Sequence, residues 1–208
     1  MYFDPITHRY SNDGKSYQPV SNFLKQYKKE FDKEKISFFY AKKHNKEQQD
    51  VLDEWELNRD CSACYGDSVH KSVQLWIDHQ KEPNQPHLQD VVSAFKKLKL
   101  DKLFSEVIVY SNELMVAGTI DILQKTTGGW NIYDIKTTKD RDKSYGYFNE
   151  PYNKIKSSKE NEHILQLSMY KYLAEGRGKK IKDLFILYWD GKSFDKVKVN
   201  SFDICLDK

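Results

Sequence analysis

The sequence predicts an α/β fold: a central mixed β-sheet flanked by helices, with a helical N-terminal half. Three observations predict it. Residues 106–111, 114–124 and 130–138 are consecutive apolar runs in strand pattern. Most of residues 33–79 lack strand alternation and look helical, and "DSVHKSVQLWI" (67–77) sets Val69, Val73, Trp76 and Ile77 on one helical stripe. A helical stretch, 161–176, then separates the three strands from two more. Helices, a strand meander, a helix and two strands make a sheet with helical layers.

Taken in order, the chain opens on short strands, with Asn-Asp-Gly in "SNDGKSY" (11–17) as a hairpin turn. Ser21 is expected to cap a helix starting at "NFLKQY". The 33–79 region is expected to break near 44–46 and near 58–61. A proline-containing loop at 81–87 precedes a helix over 88–99. After the three strands, residues 139–160 are polar and tyrosine-rich without a period, the pattern of a loop. The helix 161–176 ends at Gly176. Residues 183–200 read as a strand, an Asp-Gly-Lys-Ser turn and a strand. No repeat or linker divides the chain. The expectation is one domain over 1–208, with 1–100 mainly helical and 101–208 forming the sheet core.

Composition narrows the class. The 208 residues are enough for a real core, and 38% hydrophobic with 31% charged residues suits a soluble globular protein. No apolar run is long enough to span a membrane. "MYFDPITHRY" has Asp and Pro where an apolar signal core would sit. With three cysteines, Cys61, Cys64 and Cys205, the expectation is an intracellular, cytoplasmic setting without a disulfide framework. A net charge of +3 does not by itself establish a nucleic-acid partner.

The stretch "MVAGTIDILQKTTGGWNIYDIKTTK" (115–139) places Asp121 and Asp134 within apolar strands, where aspartate is disfavoured. A hairpin symmetric about Thr127 and Gly128 pairs residues whose numbers sum to 255. Asp121 then faces Asp134, roughly 4.5–5.5 Å away between Cα atoms, and Lys136 shares their face. Ile135 points the other way, into the core. Two facing carboxylates repel unless a cation joins them. Oxygen donors of this kind favour Mg²⁺ or Mn²⁺, and Lys136 beside such an ion can stabilise an attacking hydroxide or a developing phosphorane. The plainer reading is a surface Asp134–Lys136 ion pair with Asp121 in a local turn.

Further residues join this hairpin. "YGDSVH" (65–70) sets His70 on a helix after Gly66, as a metal ligand or a packing residue. "QLSMY" (166–170) puts Gln166 and Tyr170 on one helix face. A turn near Asn112 and Glu113 would bring Glu106 alongside Thr119, either to orient a metal-bound water or as an exposed strand-end acid.

"GDSVH" (66–70), "GTID" (118–121), "DIK" (134–136) and "QLSMY" (166–170), in this order, resemble the PD-(D/E)XK nuclease superfamily and, within it, the RecB-like exonuclease branch. "HRYSNDGKSYQPVSNFLKQY" adds a similarity to compact phage and mitochondrial-genome-maintenance exonucleases. The resemblance implies a restriction-endonuclease-like core. It also implies His70, Asp121 and Asp134 as metal ligands, joined by the Ile135 carbonyl. Lys136 would assist the nucleophilic water, and Gln166 and Tyr170 would support the site and contact DNA. One or two Mg²⁺ or Mn²⁺ ions are expected. No iron–sulfur cluster is expected, because relatives that hold one use four cysteines.

The expected function is a metal-dependent DNA exonuclease working from strand ends in replication, recombination, repair or degradation, with a helicase or recombinase as a candidate partner. The N-terminal helices would gate a strand end. The lysines and tyrosines of 139–160 would contact phosphates and bases, or form a mobile polar loop. The alternatives are a structure-specific endonuclease of the same superfamily and a non-catalytic DNA-binding accessory protein.

Overall fold

The computed structural model describes every residue except 5, 6, 8, 139, 207 and 208, with Tyr145 described for its backbone alone. His8, the first residue of the N-terminal stretch of resemblance, and Lys139, the first of the expected loop, lie outside the described residues.

Three short strands open the chain: β1 (Tyr2–Asp4), β2 (Arg9–Asn12) and β3 (Lys15–Pro19). Asp13 and Gly14, both at positive φ, close the β2–β3 hairpin, as a two-residue turn requires. Helix α1 (Val20–Phe23) follows Pro19 directly and runs into a 3₁₀ turn, Leu24–Tyr27. Ser21 therefore lies inside this helix and not at its cap, because Pro19 already fixes the extended residue that precedes the first turn.

Helix α2 (Lys33–His44) ends at left-handed Asn45, and α3 (Gln48–His79) then runs unbroken for 32 residues, about 48 Å at 1.5 Å per residue. The expected break at 58–61 is absent. Asn58, Asp60 and Cys61 are weak helix formers, but each costs only up to ~0.7 kcal/mol, and residues 58–65 are solvent-exposed with no need for an apolar period. Helix α4 (Pro86–Lys96) starts on a helix-compatible proline.

The main sheet continues with β4 (Leu103–Ser111), β5 (Val116–Thr126) and β6 (Gly129–Lys136). The expected loop at 139–160 instead contains a small hairpin, β7 (Ser144–Tyr147) with β8 (Lys156–Ser158). Between them, Phe148 and Tyr152 enter the core. Two buried aromatics at irregular spacing anchor this segment without giving it a period. Helix α5 (Lys159–Glu175) begins at Ser158, whose hydroxyl accepts from Asn161 N–H at 3.2 Å. Strands β9 (Ile181–Trp189) and β10 (Phe194–Val199) form the last hairpin, with Asp190 Oδ1 accepting from Lys192 and Ser193 N–H groups in the turn.

The strand path is β1-β2-β3-β5-β6-β9-β10, with β4 on the other edge of β5. Strands β3 and β5, and β6 and β9, run parallel; the other neighbours are antiparallel. The mixed α/β sheet is as expected. One face packs on α1 and α5 through Val20, Ile120, Ile132, Leu165 and Met169. The other packs on α3 and α4 through Val69, Val73, Val91, Phe95, Ile122, Ile135 and Leu187. Among the described residues, no helix is long and apolar enough to cross a membrane.

Candidate active site

The β5–β6 hairpin keeps the symmetric register, with Thr126 opposite Gly129 and Ile122 opposite Tyr133, and then opens. Asp121 and Asp134 come next on the two strands and are not ladder partners. Beyond Tyr133, β6 continues on β9 alone, as far as Lys136 opposite Tyr188. In the gap, Asp121 Oδ2 accepts a hydrogen bond from Ile135 N–H at 2.7 Å. A carboxylate thus takes the place of a strand carbonyl, while the Ile135 side chain lies in the α3–α4 face of the core.

β5 also changes face here. Ile120 packs toward α5 and Ile122 toward α3, although residues two apart in a regular strand share a face. The slip falls at Asp121. Across the β4–β5 ladder, Ser105 pairs with Ile122 and Val107 with Ile120, so Glu106 faces Asp121. Glu106 has a φ of +49°, a left-handed conformation rare for a non-glycine residue inside a strand and typical of strained functional positions. The expected register, with Glu106 beside Thr119, is two residues out. The β4–β5 turn is centred between Glu113 and Leu114, with Ser111 Oγ accepting from Leu114 N–H; Thr119 faces Ile108.

Each carboxylate has a cation of this chain beside it. His70, on α3, has Nδ1 3.4 Å from Asp121 Oδ2, and Lys136 Nζ lies 2.7 Å from Asp134 Oδ2. The Asp134 side chain is only 2% exposed, and its Oδ2 receives no well-directed hydrogen bond despite the nearby ammonium.

The ionisation of the group follows from this crowding. Burial pushes Asp134 up to about 6; the Lys136 charge opposes the rise and Asp121 adds to it. Burial alone would raise Asp121 as well, but the His70 charge and contact, with Lys136, hold it below its ordinary value. Burial disfavours a charged His70, yet Asp121 outweighs that and lifts it to about 9. Lys136 is likewise raised, its burial overcome by Asp134 and Asp121. Crowding by protein atoms and the Asp121 charge raise Glu106 to about 7, and its exposed side lets water temper the effect.

Helix α5 closes the site. Gln166 Nε2 donates to the Tyr170 hydroxyl at 2.8 Å, the i, i+4 pairing expected of them. The Tyr170 ring lies over Gly118, where a Cβ would sit 2.6 Å from Tyr170 Cε1 and 2.9 Å from Val20 Cγ2. Gly118 therefore admits the ring. A Cβ at Gly66 of α3 would meet Thr137 Oγ1 at an ordinary 3.6 Å, so no close approach requires glycine there. Lys136 and Gln166 line one cavity of about 260 Å³ with Ser21, Lys28, Glu162 and His163.

Sequence reasoning passed over three neighbours. His163 is buried with Nδ1 3.3 Å from the Tyr188 hydroxyl. Tyr10 shares a 2.9 Å hydrogen bond with Thr119, next to the carboxylates. Tyr188 sits opposite Lys136 in the parallel ladder. The one available signal was His163 on the buried face of a helix that also carries Gln166 and Tyr170.

The donor set suits a hard divalent cation: two carboxylates meet at the mouth of an opened hairpin, and one buried oxygen lacks a hydrogen bond. Among the described residues, no three His, Cys, Asp or Glu side chains converge as a ready-made cage. His70 and Lys136 instead supply the neutralising charge that an ion would supply. Cys61 and Cys64 lie exposed on α3, and Cys205 is also a free, exposed thiol.

A mixed sheet between helical layers, with carboxylates and a lysine where its central hairpin opens, defines the restriction-endonuclease-like class of nuclease folds. The chain belongs to the PD-(D/E)XK nuclease superfamily, whose family model matches residues 39–202. No curated protein matches it. Among solved structures, the crystal structure of SSO0001 is similar with a TM-score of 0.32 and 15% identity over 65% of each chain, so this chain spans about two thirds of that protein. A candidate exonuclease from Eubacterium rectale is similar with a TM-score of 0.40 and 10% identity, covering 88% of this chain and 73% of the other.

Proposed function

We propose that the protein is a divalent-metal-dependent DNA exonuclease of the RecB-like branch. The observation that carries this reading is the pair of carboxylates where β5 and β6 part, Asp134 buried and Asp121 partly buried, with Lys136 2.7 Å from Asp134. Asp121 and Asp134, with His70 and the Ile135 carbonyl, would hold Mg²⁺ or Mn²⁺. The ion, when bound, polarises the scissile phosphate and makes water more acidic.

The chain's own residues do the rest. Lys136 presents a compact ammonium to the attacking oxygen and to the charge that grows on the phosphate as the P–O bond to the leaving sugar oxygen breaks. Gln166, held by Tyr170, supplies an amide at the wall of the same cavity to orient the substrate. Glu106 faces Asp121 across the β4–β5 ladder, feels its charge, and would orient water. The order of the four motifs supports the exonuclease assignment, and α3 beside the cluster suits a gate for a strand end.

Digestion of end-labelled linear DNA and covalently closed circular DNA, with Mg²⁺ or Mn²⁺, tests the proposal. Release of nucleotides from the linear form with the circle left intact is expected. Cutting of the circle at a comparable rate would overturn the exonuclease assignment, and no cleavage of either would overturn the nuclease one.

A further inference from the structure

Helix α2 turns an aromatic face to solvent. Its inner side is small: Ser37 and Ala41 are buried toward α3, and Gln48 Nε2 donates to Ser37 Oγ at 3.0 Å. At about 3.6 residues per turn, Phe39 points away from those two residues. Phe38 and Phe39 are 51% and 59% exposed, with ring centroids 5.5 Å apart and ring planes 76° to each other, so each ring offers its own face. Behind them, Tyr40 and Phe31 pack on Trp55 of α3 at 5.8 and 6.3 Å.

Lysines frame the two rings. Lys35 precedes Phe39 by four residues, and Lys42 and Lys43 follow it by three and four, so all three border it on the helix surface. All three are exposed, and Glu34 is the one acid within α2. An apolar patch alone would suit a second copy of the chain. The lysines decide against that, because a two-fold contact through this face would oppose like charges. A polyanion with flat aromatic faces complements both features.

We propose that Phe38 and Phe39, framed by Lys35, Lys42 and Lys43, form a stacking platform for single-stranded DNA. Bases lie on the rings and phosphates against the lysines. The proposal rests on the nuclease reading and adds the form of the substrate, since bases paired and stacked in a duplex present no free faces to the rings. Helix α2 packs beside Trp55, and His70 lies fifteen residues further along α3, about 22 Å at 1.5 Å per residue. The platform therefore holds the strand at a distance from the carboxylates.

The test is fluorescence anisotropy in EDTA, where nothing is cut, with labelled oligo(dT) of about 20 nucleotides and a blunt duplex of equal length. The Phe38→Ala/Phe39→Ala variant should weaken oligo(dT) binding about tenfold or more and duplex binding much less. Phe38→Tyr/Phe39→Tyr, which keeps the rings, should retain oligo(dT) affinity. Lys42→Gln/Lys43→Gln should flatten the salt dependence. Both substituted rings are exposed, so circular dichroism should remain that of the parent. Parent-like oligo(dT) affinity in the alanine variant, or equal loss for oligo(dT) and duplex, would overturn the proposal. So would sedimentation that finds a parent dimer dissolved by the alanine pair. Because binding is read without cleavage, a chain that binds but never cuts defeats the nuclease reading and spares the platform, and one that cuts but ignores the alanines does the reverse.

Discussion

Two lysine–aspartate pairs in the same sheet have nearly the same length and very different surroundings. Lys198 and Asp183 meet at 2.6 Å across the β9–β10 edge, with side chains 61% and 30% exposed. Lys136 and Asp134 meet at 2.7 Å, with side chains 18% and 2% exposed. The edge pair sits in water and contributes up to ~1 kcal/mol. The inner pair has lost most of its hydration and faces a second carboxylate, Asp121. Burial of this kind often costs more than the Coulomb attraction returns. A chain selected for stability alone would fill that position with apolar side chains, so the inner pair is a candidate for the chemistry proposed above.

The largest expected difference between the two pairs is in cleavage. Asp121→Asn or Asp134→Asn should abolish nucleotide release from DNA, whereas Asp183→Asn should leave it at the parent rate. Stability separates the two inner aspartates. Burial raises the pKa of Asp134, so its charge destabilises the fold near neutral pH, and Asp134→Asn should melt a few degrees higher without metal. Asp121 is held below its ordinary value by His70, so its charge stabilises the fold above that range, and Asp121→Asn should melt lower. Calorimetric melting of both variants in EDTA checks the opposite signs. Two shifts in the same direction would contradict the charge assignments.

Next comes the lysine. Lys136→Ala should slow single-turnover cleavage at saturating enzyme by about 10²-fold or more, the scale of losing one aimed electrostatic group. Lys136→Arg should not restore the rate, because a planar fork does not replace a compact ammonium. Lys198→Ala should leave it unchanged. Weaker DNA binding with an unchanged single-turnover rate in Lys136→Ala would make Lys136 a phosphate contact and nothing more.

A smaller effect concerns the support of the site. Gly118→Ala would place a methyl 2.6 Å from the Tyr170 ring and should cost about 1–3 kcal/mol, read by denaturant unfolding. Another effect, spread over the acid range, is a pH dependence beneath Lys136. Burial, with the Lys136 charge, lowers His163 to about 2, so the native imidazole stays neutral. Below its ordinary value near 6.5, the unfolded chain takes up a proton that the native chain refuses. Stability should then fall with decreasing pH, by up to about 1.4 kcal/mol per unit from this group. His163→Leu should flatten that slope, and an unchanged slope would show that other groups set it.

The same contrast explains what could be read from the sequence. Carboxylates inside apolar strands are conspicuous, and the Thr-Gly-Gly turn fixed the register that leads to Asp121 and Asp134. The pairing of Gln166 with Tyr170 was legible from helical spacing, whereas their role at the site was implied by the family resemblance alone. Glu106 was found, but its partner was misplaced by two residues, because the β4–β5 turn lies one residue further along the chain than the pattern suggested. The opening of the hairpin at Asp121 was not legible, since it depends on β6 leaving β5 for β9, a long-range pairing. Nor was the unbroken α3, whose exposed stretch shows no apolar period. Phe148 and Tyr152 anchor residues 139–160 by tertiary contacts that local pattern does not encode.

Titration calorimetry with Mn²⁺, free of DNA, asks whether the inner charges are kept to bind a divalent ion. Saturable binding of one or two ions is expected for the parent chain and for Asp183→Asn, with binding lost or severely weakened in Asp121→Asn and in Asp134→Asn. No saturable binding by the parent, or parent-like binding by both inner variants, would contradict this expectation.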